Sequence, residues 1–410
     1  MEFVAQFIAQ HPIMVVSLVK IAVLLFIVMT ALAYLTWFER KVVAHIQSRW
    51  GPYYVGAHGL LQPLADGLKF LFKEDITLPT SDRFVYILSP FLALTLALAA
   101  IALIPFGPPS VAVCGQPVYV IANVDISLLF VFAITSIGVY GVALAGWSSN
   151  SKYPLLGSLR SSAQMVSYEL SMTLSVVGVL LMAGSLNLSE IITAQQGFAW
   201  GFLPRWNILA GPLPQILGFF CFFVSAIAET NRLPFDLPEA EGELGGGFHT
   251  EYSSFKFAMF FMGEYASMIT VSCLATILFF GGWLSPFPQT RAFGWAHYIP
   301  AAFFGLAGVA LIVHGVRYLT MFGRVALPAI GLALCGLAFL LTRHGLNEIA
   351  QGPFWFLLKV LIFLFIYVWV RGTLPRFRYD QLMAIGWKLL LPVSIANVVL
   401  TSLAIVVTQR

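Results

Sequence analysis

The chain has 410 residues, of which 59% are apolar, 15% aromatic and 10% charged, with a mean hydropathy of +0.88. Soluble globular domains carry roughly 25% charged residues, so this composition excludes a soluble enzyme and a disordered chain. The net charge of +4 is too small and too dispersed for a nucleic-acid-binding surface. The composition therefore indicates a polytopic membrane protein.

Ten apolar stretches are long enough to cross a bilayer. A helix needs about 20 apolar residues to do so, because each backbone polar group must be hydrogen-bonded within the segment. The alternating pattern of barrel strands is absent. The sequence therefore predicts an all-α membrane helix bundle, a single integral domain over 1–410. Its predicted spans are 13–38, 84–105, 124–147, 164–183, 213–229, 256–281, 300–316, 324–342, 353–371 and 388–408.

The Lys and Arg residues of the loops set the expected orientation. With the N-terminus outside, the odd-numbered loops hold 16 of these residues and the other side holds 4. Cytoplasmic loops carry the excess of positive charge, so both termini are expected outside. The N-terminus lacks the basic region of a cleaved signal peptide. The longest cytoplasmic loops, 39–83 and 230–255, are too short to bind a nucleotide unaided, so soluble chemistry must come from partner chains.

An amphipathic segment, 58–75, lies between the first two predicted spans. At 100° per residue its leucines and Phe72 fall on one arc, whereas Gln62, Asp66, Lys69 and Lys73 fall on the opposite face. This pattern predicts a helix lying in the cytoplasmic interface with its apolar face toward lipid. An ordinary surface helix packed on the bundle is the alternative. The functional interpretation is an entry portal beside a lipid-accessible cavity.

Carboxyl groups occur where charge is costly in a membrane. Glu169 and Glu264 lie within predicted spans and Glu229 ends another. An acidic loop follows, and converging carboxyls of this kind can pass protons. The candidate proton-coupling group is Glu169, Glu229, Asp236, Glu239, Glu241, Glu243 and Glu264.

Plainer interpretations remain open for these and other polar residues. Glu229 can form a helix-end ion pair with Arg232, and the acidic loop can be a solvated face or a patch for a basic partner. Glu169 and Glu264 can be protonated acids in interhelical hydrogen bonds. Lys20 and Lys359 are interpreted as snorkelling toward the outer interface. The four cysteines have no metal or cluster spacing, so no metal site is expected.

Four long motifs resemble the H subunit of bacterial NADH–quinone oxidoreductase (respiratory complex I), the counterpart of mitochondrial NADH dehydrogenase subunit 1. All four lie on the predicted cytoplasmic side or at its span ends. They are WFERKVVAHIQSRWGPYYVGAHGLLQPLADGLKFLFKED (37–75), NSKYPLLGSLRSSAQMVSYELS (150–171), AETNRLPFDLPEAEGELGGGFHTEYSSFKFAMFFMGEY (228–265) and WVRGTLPRFRYDQLMAIGWKLLLP (369–392).

The resemblance implies a polypeptide that joins the membrane arm to the peripheral arm and forms a quinone-access chamber. It implies a chamber with Glu39, Arg40, Arg49, Asp66, Arg232 and Arg371. It also implies an acidic trail through Glu169, Glu229, Glu239, Glu241 and Glu264 toward antiporter-like subunits. The chain would have no catalytic residue and bind no cofactor of its own. Quinone would be the substrate, and partner subunits would carry NADH, FMN and the iron–sulfur clusters.

The segment 298–350 departs from the family pattern, because it adds two apolar stretches before the last motif. The expected structure is a peripheral hairpin facing lipid, without an assigned role. A bacterial plasma membrane fits this addition best.

Two rival functions remain as alternatives to the one that the resemblance implies. One is the homologous membrane component of a hydrogenase- or ferredoxin-linked energy-converting complex, which the intact 39–75 stretch disfavours. The other is a stand-alone cation or proton transporter, which the absence of an internal repeat disfavours.

Overall fold

The structure, a computed structural model, describes residues 12–79, 81–113, 116–199, 203–236, 246–288, 291–318 and 321–408. These residues form an almost entirely helical chain. The α-helices are α1 (Pro12–Ile46), α2 (Gln62–Phe72), α3 (Arg83–Ile101), α4 (Ser127–Ser148), α5 (Lys152–Ala183), α6 (Leu188–Ala194), α7 (Ile216–Glu229), α8 (Ser254–Phe279), α9 (Ile299–Val316), α10 (Met321–Leu341), α11 (His344–Thr373), α12 (Tyr379–Ala384) and α13 (Leu391–Thr408).

Short elements complete the described chain. A π-helical turn, Ile385–Leu390, makes α12 and α13 one continuous rod, and 3-10 turns occupy Ala57–Gly59, Gly247–His249 and Arg291–Tyr298. Two antiparallel ribbons lie in connectors. Strand β1 (Ala112–Val113) pairs with β2 (Gln116–Pro117), and β3 (Phe198–Ala199) pairs with β4 (Leu203–Pro204).

The prediction of an all-α membrane helix bundle is confirmed, with one difference in the number of long spans. Among the described residues, nine helical stretches are long and apolar enough to cross a membrane. They are α1, α3, α4, α5, α8, α9, α10, α11 and the α12–α13 rod. The fifth predicted span, 213–229, corresponds to α7, which has only 14 residues.

Helix α7 is short because its sequence stops it at both ends. Pro212 and Pro214 lack backbone N–H groups and hinder a helix before Ile216. Its 14 residues extend about 21 Å, less than the hydrocarbon core of about 30 Å. The backbone that continues to Asp236 is non-helical but buried. Irregular backbone is tolerated at membrane depth when protein surrounds it.

Helix α5 begins 12 residues before its predicted span, because its first turns are polar but buried. Ser158, Ser161 and Gln164 have no exposed surface. Gly157 allows close contact with the backbone of Gly247, since a Cβ atom there would lie 2.9 Å from the Gly247 Cα. Hydropathy cannot detect such turns, which pack through small residues and hydrogen bonds.

Helix α2 is amphipathic and lies at the edge of the bundle. None of its residues is buried, and its apolar residues Leu64, Leu71 and Phe72 are exposed. Its C-terminal end is attached to α8, where the Ser254 hydroxyl donates to the carbonyl oxygens of Phe70 (2.8 Å) and Lys73 (2.9 Å). The helix therefore presents an apolar face outward while a polar contact holds it on the bundle.

Helix α8 lies at the centre of the bundle, and 72% of the residues in its apolar 18-residue stretch are buried. Its C-terminal end is capped by Lys359 of α11, whose ammonium group donates to the carbonyl oxygens of Phe280 (2.7 Å), Gly282 (2.9 Å) and Leu284 (2.7 Å). Lys359 is only 7% exposed. The interpretation of Lys359 as a snorkelling residue is therefore wrong, because three carbonyls within the protein replace water as its acceptors.

We expect Lys359→Met to lower the free energy of unfolding by about 3 kcal/mol, because hydrogen bonds from a charged donor contribute about 1.5–3 kcal/mol each and are not additive. The measurement is the thermal denaturation midpoint of the detergent-solubilised complex. Lys20→Met is the matched control, since the Lys20 ammonium group donates to the single carbonyl of Pro117 at 2.6 Å. Equal shifts for the two variants would contradict the capping role.

Candidate functional site: a buried ion cluster between two cavities

Glu39, near the end of α1, is a buried carboxylate held by groups from three distant segments. It is 4% exposed. Arg371 of α11 contacts Oε1, and Arg232 Nη1 lies 3.4 Å from the same atom. The Tyr265 hydroxyl of α8 donates to Oε2 at 2.7 Å. A buried charge is tolerated only when it is paired and hydrogen-bonded, so this carboxylate depends on all three segments.

Two cations surround this single carboxylate. The Arg232 guanidinium also lies over the Tyr265 ring, 4.2 Å from its centroid, and its side chain is 8% exposed. The Arg371 side chain is 34% exposed, so Arg371 is the more accessible of the two. Glu39 therefore holds a guanidinium group at a surface that solvent or a ligand can reach.

Beside this cluster lies an open cavity of about 610 Å³. Four of the six residues that the resemblance implies for the chamber line it: Glu39, Arg40, Arg49 and Arg371. The other lining residues are Val43, Trp50, Gly51, Pro52, Phe261 and Tyr265. This cavity, called the open cavity below, therefore combines guanidinium groups with aromatic and aliphatic walls.

Asp66 and Arg232 do not line the open cavity, but each contacts a residue that does. Arg40 Nη1 donates to Asp66 Oδ2 at 2.7 Å, and Gln62 Nε2 donates to Asp66 Oδ1 at 2.9 Å. The Arg40–Asp66 ion pair joins α1 to the amphipathic helix α2. Arg232 contacts two lining residues, Glu39 and Tyr265.

A smaller cavity of about 70 Å³ lies on another side of α8 and has room for a few waters. Glu229 and Glu264 line it together with Thr135, Thr230 and Ser267, among others. We call it the carboxyl cavity. Glu229 is 8% exposed, and its Oε2 atom has no hydrogen-bond partner among the described residues. An enclosed carboxyl oxygen beside water-sized space is positioned to accept or deliver a proton.

Glu169 of α5 lies at the edge of this group. The Ser136 hydroxyl of α4 donates to Glu169 Oε1, and Ser136 follows the lining residue Thr135. Glu169 is also close enough to Glu229 for electrostatic interaction. Three carboxyl groups from α5, α7 and α8 therefore converge at the contact between those helices and α4.

The acidic loop is described only at its start. Asp236 is 5% exposed, and Arg376 Nη2 lies 3.4 Å from its Oδ2. This ion pair therefore links Asp236 to the segment before α12. The predicted trail residues Glu239, Glu241 and Glu243 lie outside the described residues.

The two cavities are joined by neighbouring residues on two elements. Glu264 lines the carboxyl cavity, and the next residue, Tyr265, lines the open cavity and binds Glu39. Likewise Glu229 lines the carboxyl cavity, and Arg232, three residues later, binds Glu39. The two cavities are therefore connected through very short segments of the chain.

Gln164 holds the second of these segments in place. Its Nε2 atom donates to the carbonyl oxygens of Ala228 (2.8 Å) and Phe235 (2.9 Å), which flank the non-helical turn. Sequence reasoning missed Gln164 and Tyr265. The sequence signal for both was a polar residue within a stretch of small or apolar helical residues. Many residues with a purely structural role show the same signal.

Comparison with known proteins identifies relatives of the whole chain. The family model described as NADH dehydrogenase matches residues 19–402. The chain is 49% identical to an H subunit of NADH-quinone oxidoreductase from Solibacter usitatus, over 96% of this chain and 98% of that protein. It is also 49% identical to an H subunit from Koribacter versatilis (95% and 97%) and 42% identical to the H subunit from Ehrlichia chaffeensis (95% and 90%).

These matches confirm the resemblance carried by the four motifs. They extend over nearly the full length of each relative, so the similarity is not confined to one segment. Long apolar helices and this family together indicate a multi-pass integral membrane protein. The chain therefore belongs to the NADH dehydrogenase family, together with the H subunits of NADH-quinone oxidoreductase.

Proposed function

We propose that this chain, a membrane component of the NADH-quinone oxidoreductase complex, houses the quinone in the open cavity and relays the charge change of quinone reduction to the carboxyl cavity. Electrons come from partner subunits that carry NADH, FMN and iron–sulfur chemistry. Antiporter-like partner subunits complete proton translocation. Since the relatives named above are bacterial, we place the complex in a bacterial plasma membrane.

The chemistry of the open cavity supports a quinone head. Reduction places negative charge on the quinone oxygens, and guanidinium groups fixed at that position stabilise the charge as it develops. Arg371 and Arg49 line the cavity, and Glu39 fixes the position of Arg371. Phe261 and Trp50 supply apolar and aromatic wall for the ring.

The position of α2 supports entry of an apolar tail from lipid. Its exposed residues include Leu64 (64%) and Phe72 (86%), which suit contact with acyl chains. Its opposite face is tied to the cavity-lining Arg40 by Asp66. An isoprenoid tail that passes the apolar face of this helix would therefore contact Leu64 and Phe72, while the charged groups of the open cavity face the quinone head.

The juxtaposition of the two cavities is the single observation that carries the coupling part of the proposal. Negative charge on the quinone attracts Arg371 and weakens its hold on Glu39. Glu39 then interacts more strongly with Tyr265 and Arg232. Tyr265 directly follows Glu264, and Arg232 lies three residues after Glu229, so the carboxyl cavity experiences the change as a shift in local potential, which alters proton occupancy.

Photolabelling of the intact complex tests the location. An azido-quinone is expected to label the segments around 49–52 and 261–265, and excess unlabelled quinone is expected to prevent this. Labelling confined to partner subunits or to the outward face of the bundle would contradict a quinone site in this chain. A ferredoxin-linked complex without quinone predicts no competition.

We expect Arg49→Ala to raise the apparent KM for quinone about tenfold, since loss of one charge-assisted contact costs about 1.5 kcal/mol. Steady-state kinetics with short- and long-tailed quinones measure the effect. Arg343→Ala is the matched control, because Arg343 lies at the start of α11 and contacts the Phe339 ring away from both cavities. An unchanged KM for both quinones would remove Arg49 from the site.

A further inference from the structure

The hairpin α9–α10 was expected to face lipid without a role, and much of its surface is exposed. Leu306, Val313 and Leu332 are 74%, 53% and 65% exposed. The two helices approach closely through small residues, since a Cβ atom on Gly308 would lie 2.7 Å from the carbonyl oxygen of Gly331. Small residues at such contacts are typical of membrane helix pairs. One end of the hairpin, however, packs against another part of the chain.

That end binds the loop between α1 and α2. The backbone N–H of His58 donates to the Tyr318 hydroxyl at 2.9 Å. His58 Nε2 and His314 Nε2 are 2.6 Å apart, and the ring centroids are 4.9 Å apart, so the two imidazoles meet through these nitrogen atoms. Ala57, Tyr318 and Leu327 form a small buried apolar cluster at the same place.

The loop is folded so that fixing His58 also fixes the cavity wall. Trp50, Gly51 and Pro52 line the open cavity. Gly59, next to His58, packs against the carbonyl oxygen of Pro52 so closely that a Cβ atom there would overlap it. The wall and the hairpin contact are therefore opposite sides of one compact loop.

An aromatic series gives a second connection. The ring centroid of Tyr53 is 6.2 Å from that of Trp50 and 6.3 Å from that of Tyr318. His58 itself has φ of 53°, a left-handed conformation that costs a non-glycine residue free energy and persists only when its surroundings hold it. Those surroundings are the hairpin contacts and Trp37, whose Nε1 donates to the His58 carbonyl at 3.2 Å.

We propose that His314 and Tyr318 of the hairpin are positioning residues for quinone binding, which hold loop 50–60 and thereby fix the wall of the open cavity. The proposal rests on the function proposed above. It assigns a role to a hairpin of which no described residue lines either cavity. The hairpin acts through the loop and does not contact the head of the quinone.

The imidazole pair suits a contact that holds at neutral pH. Burial, followed by the charges of His314 and Lys41, lowers the pKa of His58 from its ordinary value. His58 is therefore neutral when the pair forms, and one ring donates while the other accepts. The titratable groups around it are His314 and Tyr318 of the hairpin, Tyr53 of the loop and Lys41 of α1.

The test uses the assembled complex in native membranes. We expect His314→Ala and Tyr318→Phe each to raise the apparent KM for quinone about fivefold, with kcat within twofold of the parent and unchanged NADH oxidation by ferricyanide. His314→Gln retains a side-chain donor for His58 and is expected to restore most of the affinity. Val313→Ala is the matched control, because the neighbouring Val313 faces outward.

Each other outcome overturns the proposal in a distinguishable way. If Arg49→Ala raises KM while both hairpin variants leave it unchanged, the positioning role is wrong and the quinone site stands. If neither Arg49→Ala nor the hairpin variants alter KM, the function proposed above fails as well. If the hairpin variants lower the amount of assembled complex and leave KM unchanged, the contact is purely structural. The Tyr318→Phe variant keeps the ring and therefore tests the hydroxyl without opening the apolar cluster.

Discussion

Glu39→Gln is expected to destabilise the protein by about 3 kcal/mol, because removal of one member of a buried ion pair leaves the other charges uncompensated, at a cost of about 3–5 kcal/mol. We take the lower end of that range because the Arg371 side chain is 34% exposed and water screens part of the loss. Arg232 is 8% exposed and is expected to bear most of the effect. The measurement is the amount and thermal stability of the assembled complex, followed by its quinone reductase rate.

Asp75→Asn is the matched control for Glu39→Gln. Asp75 forms a salt bridge with Lys256, whose Nζ atom lies 3.1 Å from Asp75 Oδ2, but the Asp75 side chain is 51% exposed. Exposed ion pairs contribute roughly 0–1 kcal/mol to stability. The expected result is near-normal stability for Asp75→Asn and a clear loss for Glu39→Gln. Similar behaviour of the two variants would show that Glu39 is not needed to hold the arginines.

Glu229→Gln is expected to slow quinone-linked turnover and proton pumping at least about tenfold, while NADH oxidation by ferricyanide stays near its normal rate. The amide keeps the size of the side chain but cannot exchange a proton, and loss of a positioned proton-transfer group typically costs about 10²–10⁴ in rate. Glu229 is suited to reveal this because it lines the carboxyl cavity and is buried. Spectrophotometric turnover and proton uptake in vesicles measure the two effects.

Glu190→Gln is the matched control for that substitution. Glu190 is an exposed residue of α6, on a connector away from both cavities, so its variant is expected to behave as the parent. Parallel loss of the ferricyanide and quinone rates in Glu229→Gln, at normal assembly, would show damage to the complex and would refute a coupling role. Intact pumping would refute it more directly.

Among the residues predicted for the chamber, those with a local sequence signal lie together in the structure. Arg40 and Arg49 belong to one continuous motif after the first span, and both line the open cavity. Glu39 precedes them, and the structure places it between Arg232 and Arg371. The motif order indicated that these residues belong to one site, but neither pairing nor depth follows from position in the chain.

Other features had too weak a local signal to be singled out from the sequence. Tyr265 is one more aromatic residue in an apolar helix until its hydroxyl is seen to donate to Glu39, 226 positions away. Gln164 lies in a stretch whose first turns hydropathy assigns to a loop, but the fold buries it. No role could be predicted for the hairpin from the sequence, because its contacts with His58 depend on where the loop between α1 and α2 folds back.

Hydropathy, loop charge and helical periodicity by themselves determined that this chain is an α-helical membrane bundle with an amphipathic helix at its edge. These properties follow from the sequence because each depends on the free energy of transferring neighbouring residues from water to hydrocarbon. Tertiary structure alone decided that Glu39 joins three segments and that Glu229 and Glu264 face one small cavity. Those features depend on contacts between residues far apart in the chain, whose distances are set by packing of the whole bundle.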